Sequence, residues 1–132
     1  MSSIIVDTHV IIWDQLDPGK LSAKARKAIT KADNNHQIII CEISLWEIAM
    51  LIKKKRIVPD ILYMELMEDI LHSRNYMLQG ITPEIALLAT EMSIETKDPP
   101  DKLIAATSIV LGFPLVTSDQ FMLQSTETKT IW

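Results

Sequence analysis

Two carboxylates in this chain follow short apolar runs of the kind that form buried strands. Ile4-Ile5-Val6 ends in Asp7, and Leu115-Val116-Thr117-Ser118 ends in Asp119. Uninterrupted apolar runs bounded by turn residues suit a parallel sheet covered on both faces. In open α/β sheets, ligands gather at the carboxyl ends of the strands, where the winding reverses. Two more acids, Glu47 and Asp101, stand at expected helix starts. Should these four meet, carboxylates that close cannot all ionise without a counter-charge. A set of oxygen ligands that leaves places for water describes Mg²⁺ or Mn²⁺, whereas zinc favours His or Cys. His9 lacks a second His or Cys at ligand spacing, which leaves it a structural or substrate-side role.

Each acid also has an ordinary explanation. Glu47 lies three residues after Ser44, the spacing of a capping box. Asp101 suits the positive end of a helix, and Asp119 suits a turn. Asp7 is the hardest to place this way, because an acid set directly against a buried run must be paired or desolvated.

The elements that must position these groups alternate between strand and helix along 132 residues. Thr8 to Leu16 predicts a short helix carrying Val10, Ile11, Trp13 and Leu16, closed by Asp17-Pro18-Gly19. Ser22 caps a second helix striped by Ala25, Ala28, Ile29 and Ala32, with Lys24, Lys27 and Lys31 on a solvated side. Gln37 to Cys41 reads as the next strand. A helix from about Ser44 carries Leu45, Ile48, Ala49 and Ile52 and ends in Lys53-Lys54-Lys55-Arg56, cations that suit its negative end. Pro59 and Asp60 open a helix to about Arg74, with Met64, Met67 and Leu71 on one side. Met77 to Ile81 reads as a third strand, and Thr82-Pro83 starts a helix striped by Ile85, Leu88, Ala89 and Met92. Asp98-Pro99-Pro100-Asp101 launches a helix over Lys102 to Leu111, apolar nearly all round and so expected against the sheet. Lys129 to Trp132 adds an edge strand. The expectation is one domain over residues 1–132: a three-layer α/β/α unit with a central, mostly parallel sheet.

Composition sets outer bounds. The formal net charge of −4 argues against a nucleic-acid binder that works by bulk positive field, although acids neutralised by a metal would leave local basic patches able to meet phosphates. The single cysteine, Cys41, sits in an apolar run, which rules out a disulfide framework within the chain and suits a buried thiol in a reducing compartment. With no apolar stretch of membrane-spanning length and no signal-peptide layout at the start, a cytoplasmic location is expected.

Four segments together resemble a PIN-domain protein of the VapC toxin type: Ile5-Val6-Asp7-Thr8-His9, Ser44-Leu45-Trp46-Glu47-Ile48-Ala49, Lys97 to Thr107, and Leu115 to Asp119. They occur in the family's order and span nearly the whole chain. The resemblance implies a metal-dependent endoribonuclease whose acidic metal site is Asp7, Glu47, Asp101 and Asp119. Thr117 and Thr8 would support that site through hydroxyl contacts, with Ser44 and Asp98 beside them. It also implies a homodimer neutralised by a cognate antitoxin. Lys97 and Lys102 flank the Asp-Pro-x-Asp segment where similar proteins commonly carry His or Arg, which keeps charge but loses the planar fork.

On this reading the acids hold one or two Mg²⁺, with Mn²⁺ as an alternative, for hydrolysis of RNA phosphodiesters. Lys53, Lys54, Lys55, Lys97 and Lys102 would meet substrate phosphates. Lys54, seven residues after Glu47, falls on nearly the same helical face, ~10 Å along the axis. Two other classes compete. A haloacid-dehalogenase-like phosphatase would need a second Asp two residues after the first, where His9 stands, and no Gly-rich phosphate loop is present. A non-catalytic PIN-like binding module would not require the acids. DNA is not excluded as substrate, because no residue visibly reads a 2′-hydroxyl.

Overall fold

A computed structural model describes residues 3–92 and 98–132. Its sheet contains β1 (Ile4–Val6), β2 (Ile38–Cys41), β3 (Tyr76–Gln79), β4 (Leu115–Val116) and β5 (Thr130–Ile131). All pairings are parallel, in the order β3-β2-β1-β4-β5. Ile5 of β1 is opposite Ile39 on one side and Leu115 on the other. The chain therefore winds outward from β1 through β2 to β3, then crosses back to begin the other half at β4. The reversal lies between β1 and β4, with the carboxyl ends of all five strands at one edge.

Helices cover both faces. After β1 come α1 (Thr8–Leu16) and α2 (Ala23–Asn34), and after β2 come α3 (Glu42–Lys53) and α4 (Tyr63–Ser73). After β3 come α5 (Pro83–Glu91) and α6 (Pro99–Leu111), and α7 (Gln120–Gln124) joins β4 to β5. Alternation along the strands sorts the core into two layers. Ile4, Val6, Ile38, Ile40 and Val116 face a cluster built from α1, α2, α3 and α4. Ile5, Ile39, Cys41 and Leu115 face the cluster under α5, α6 and α7. Ile5, Ile38 and Ile40 are fully buried, each removal from water worth about 1.5–3 kcal/mol.

Local signals set several element ends. The Ser22 hydroxyl accepts from the Ala25 amide and the Thr82 hydroxyl from the Ile85 amide, so both expected caps are present. Gly112 ends α6 in the left-handed region (φ 72°), where a side chain would be strained. Arg74 grips Asp14 through two nitrogens at 2.6 and 3.0 Å and reaches Asp33 at 3.3 Å, tying α1 and α2 to the entry of β3.

Several expected boundaries are corrected. α3 starts at Glu42 rather than about Ser44, so Glu42 is its first residue instead of preceding it. α4 starts at Tyr63 rather than Asp60, and Met64 is 73 % exposed while Met67 is buried. The third strand covers Tyr76–Gln79 instead of Met77 to Ile81. α6 begins at Pro99, using the fixed φ of proline, rather than at Lys102. The segment from Leu115 to Asp119 is strand for two residues only, and α7 follows where no helix was expected. Lys97 lies outside the described residues. Among the described residues, no helix is long and apolar enough to cross a membrane.

Candidate active site

Asp7 is the first residue beyond β1 and the N-cap of α1, and it is only 4 % exposed. Its two oxygens are held separately. The Thr8 amide donates to Oδ1 at 2.8 Å, and the Thr117 hydroxyl donates to Oδ2 at 2.8 Å. Thr117 follows β4 directly, and its hydroxyl oxygen accepts from the Asp119 amide at 3.0 Å. One hydroxyl thus stitches together the two strand tips on either side of the winding reversal. Asp119 caps α7, its Oδ1 accepting from the Met122 amide at 3.1 Å.

The helix that follows β2, α3, brings Glu47, 1 % exposed, to the same place. The Thr8 hydroxyl donates to Glu47 Oε1 at 2.6 Å and lies 2.8 Å from Ser44 Oγ. Thr8 has a single hydroxyl proton, so with that proton on Glu47 it is Ser44 that donates to Thr8. This overturns the capping-box expectation. Cys41 is the N-cap of α3 without a side-chain bond, Ser44 lies inside the helix, and Glu47 sits in its second turn. A tertiary hydroxyl chain, rather than the helix end, accounts for both side chains.

Glu47, Asp98 and Asp101 each offer a carboxylate oxygen, and these atoms lie within 4.8 Å of one another. Asp98 is the N-cap of α6 and Asp101 is in its first turn, so a spacing of three sets both on one side of the helix start. Burial pushes Asp101 up to about 8, and the charges of Asp7, Asp98, Glu47 and Asp119 add to that push. Burial raises Glu47 to about 7, opposed by the Thr8 hydroxyl and reinforced by Asp98 and Asp7. Asp7 is raised as well, burial outweighing its bonds from Thr117 and Thr8 and the nearby His9, with Asp119 adding repulsion. Five acids from four segments therefore act on one another's charge. A set made of carboxylate oxygens, two of its five acids buried, suits a hard divalent cation, which would neutralise the negative charge that burial and crowding disfavour.

Of the four expected catalytic acids, Glu47 and Asp101 stand together in the tight group, while Asp7 and Asp119 act on Asp101 electrostatically. Asp98, expected only in support, joins the tight group. The Asp-Pro-Pro-Asp spacing held that signal, because it sets two acids three apart at a helix start. Lys53 ends α3, Lys54 is its C-cap and Lys55 follows in the left-handed region, all three exposed. Lys102 is half-buried beside Asp101.

Comparison with known proteins gives the family of the chain. Residues 4–124 match the PIN domain. Ribonuclease VapC22 of Mycobacterium tuberculosis (strain ATCC 25618 / H37Rv) is 33 % identical over 138 residues, covering 100 % of both chains. The fold is also similar to the structure of DNA-bound VapBC from Salmonella typhimurium, with a TM-score of 0.72 at 14 % identity, covering 98 % of this chain and 97 % of that one. For VapBC2 from Rickettsia felis bound to a promoter DNA fragment, the TM-score is 0.73 at 14 % identity, covering 96 % of each chain. With the family model matched over residues 4–124 and the sequence likeness running the full length, this chain belongs to the PIN domain family.

Proposed function

We propose that the protein is a Mg²⁺-dependent endoribonuclease, the toxin of a toxin–antitoxin pair, acting in the cytoplasm as a homodimer and silenced by a cognate antitoxin. The observation that carries this reading is the meeting of Glu47, Asp98 and Asp101 within 4.8 Å, beside Asp7 and Asp119 at the two strand tips. The full-length likeness to a ribonuclease supports RNA as the substrate. We take residues 1–132 as one catalytic unit.

Asp7, Glu47, Asp101 and Asp119 would hold the metal, with Asp98 at its side. A divalent ion bound there supplies neutralising charge, polarises a phosphate oxygen and lowers the pKa of a water. The chain's own residues do the positioning. Thr117 fixes Asp7 across the reversal, while Ser44 and Thr8 in series fix Glu47. Both carboxylates keep further lone pairs for a ligand, because each oxygen can accept more than one bond. Water is largely excluded by the burial of Asp7, Thr8, Ser44, Glu47 and Thr117, which strengthens every electrostatic contact inside. Lys53, Lys54, Lys55, Lys97 and Lys102 would neutralise flanking phosphates.

The test is incubation with total RNA and with a pool of single-stranded DNA, in Mg²⁺, in Mn²⁺ and in chelator, with the cut ends mapped. Internal cleavage of RNA that needs the divalent ion supports the reading. Intact RNA beside hydrolysis of a small phosphate ester would point to a phosphatase, and cleavage of DNA alone would replace the substrate.

A further inference from the structure

The outer side of α1 carries a feature the acidic site does not use. Thr8, Val10, Ile11 and Ile12 are buried, whereas His9, Trp13 and Leu16 recur at the spacing of one helical face. His9 is exposed and Leu16 is 44 % exposed. The rings along this face form a row. His9 and Trp13 are 5.8 Å apart between centroids, and Trp13 and Trp132 are 5.9 Å apart, both pairs tilted by 53°. The Lys20 ammonium lies 5.8 Å from the Trp13 ring and 3.9 Å from Asp17. Trp13 and Trp132 both pack against the core, and Trp13, held from behind by Trp132, backs the exposed imidazole. That imidazole stands two residues beyond Asp7, close enough to act on its charge.

Resting on the ribonuclease reading above, we infer that the His9 ring, backed by Trp13 and Trp132, is the platform on which a base of single-stranded RNA stacks beside the bond to be cut. Trp13 is flanked by His9, Trp132 and Lys20, which makes it a support; His9 is the member of the row turned to solvent. A tilted stack of rings restricts the imidazole at little further entropic cost. Unpaired bases stack on such rings whatever their sequence, because every base has a π-face. Paired bases are already stacked on their neighbours and present no free face, so the platform selects loops and single strands. Lys20, at the same row, adds a cation for the strand's backbone. The row begins two residues beyond Asp7, which favours nucleic acid over a protein partner as its occupant.

The test uses the full chain carrying Asp7→Asn, so that bound RNA is not consumed, and a fluorescent single-stranded RNA of mixed sequence read by anisotropy. Adding His9→Ala is expected to weaken binding about tenfold, the loss of one base–ring stack, while His9→Phe keeps it within about twofold. The same RNA with abasic sugars is expected to bind the parent and His9→Ala alike. In the enzyme without Asp7→Asn, the His9→Ala loss should appear in KM rather than kcat. The inference is overturned if His9→Ala binds RNA as the parent does, including the case in which it loses only a protein partner. It is equally overturned if His9→Phe is as weak as His9→Ala, which would assign the contact to imidazole hydrogen bonding. A protein with native residues throughout that neither binds nor cuts RNA overturns the ribonuclease reading, and this inference with it.

Discussion

Thr8 donates its hydroxyl proton to Glu47 at 2.6 Å across 39 positions of sequence, and Ser44 in turn donates to Thr8. All three side chains are buried, so the bond to Glu47 cannot be replaced by water. Thr8→Val keeps the shape and removes the donor. It is expected to cost about 1–3 kcal/mol of stability in denaturant unfolding, the usual penalty for a buried polar group left without its partner. Divalent affinity by calorimetry is expected to fall about 10- to 100-fold, as when the support of a ligand is lost. Thr8→Ser should recover most of both; a Thr8→Val protein that binds metal normally would remove this residue from the site.

Asp7 is a buried acid whose charge is opposed by its surroundings. Asp7→Asn keeps the volume and removes that charge, and the Thr117 hydroxyl can turn to accept from the new amide. Metal-dependent cleavage is expected to disappear, while the melting temperature in chelator stays at or above that of the parent. Added Mg²⁺ should stabilise the parent by mass action and leave the variant unmoved. Cleavage that survives the substitution would take Asp7 out of the catalytic set.

Asp101 is pushed up to about 8 and Glu47 to about 7, burial first in both cases, whereas each titrates near the ordinary carboxylate range once unfolded. Between these values the folded chain holds protons that the unfolded chain has released. Stability must then fall as pH rises. In chelator, the melting temperature is expected to drop from about pH 4 to about pH 8, and Asp101→Asn to flatten the drop. Excess Mg²⁺ is expected to restore most stability at the alkaline end, where its ligands are deprotonated. A melting temperature that climbs over this interval in chelator would contradict the crowding of these acids.

Lys53, Lys54 and Lys55 form an exposed basic end to α3, the helix that bears Glu47. Changing all three to Gln is expected to weaken RNA binding and flatten its dependence on salt by up to about 2 in the log–log slope, at ~0.7 per single-strand phosphate contact. Metal binding should be untouched. Unchanged RNA affinity at low salt would place the strand elsewhere.

The layered parallel sheet was legible because β1 and β2 are uninterrupted apolar runs, and Asp7 stood out because it follows the first of them directly. The caps at Ser22 and Thr82 were legible because hydroxyl and helix start are adjacent in sequence. The start of α3 was not. Cys41 provides no capping side chain, while Ser44 and Glu47 imitate a box whose members in fact bond to Thr8. A contact between distant segments overrode a local pattern of correct spacing. The Asp98–Asp101 spacing is visible in the sequence, but the nearness of Asp98 to Glu47 is not, since it depends on how α6 docks against α3. α7 has five residues, too few for any periodicity to declare it.

The bond from Thr117 to Asp7 closes a loop of 110 positions. During synthesis Asp7 must therefore wait for 110 further residues before the two strand tips can meet. Until then the carboxylates from the first half of the sheet lack their counterparts from the second, so the pocket comes into being only after both halves have been made.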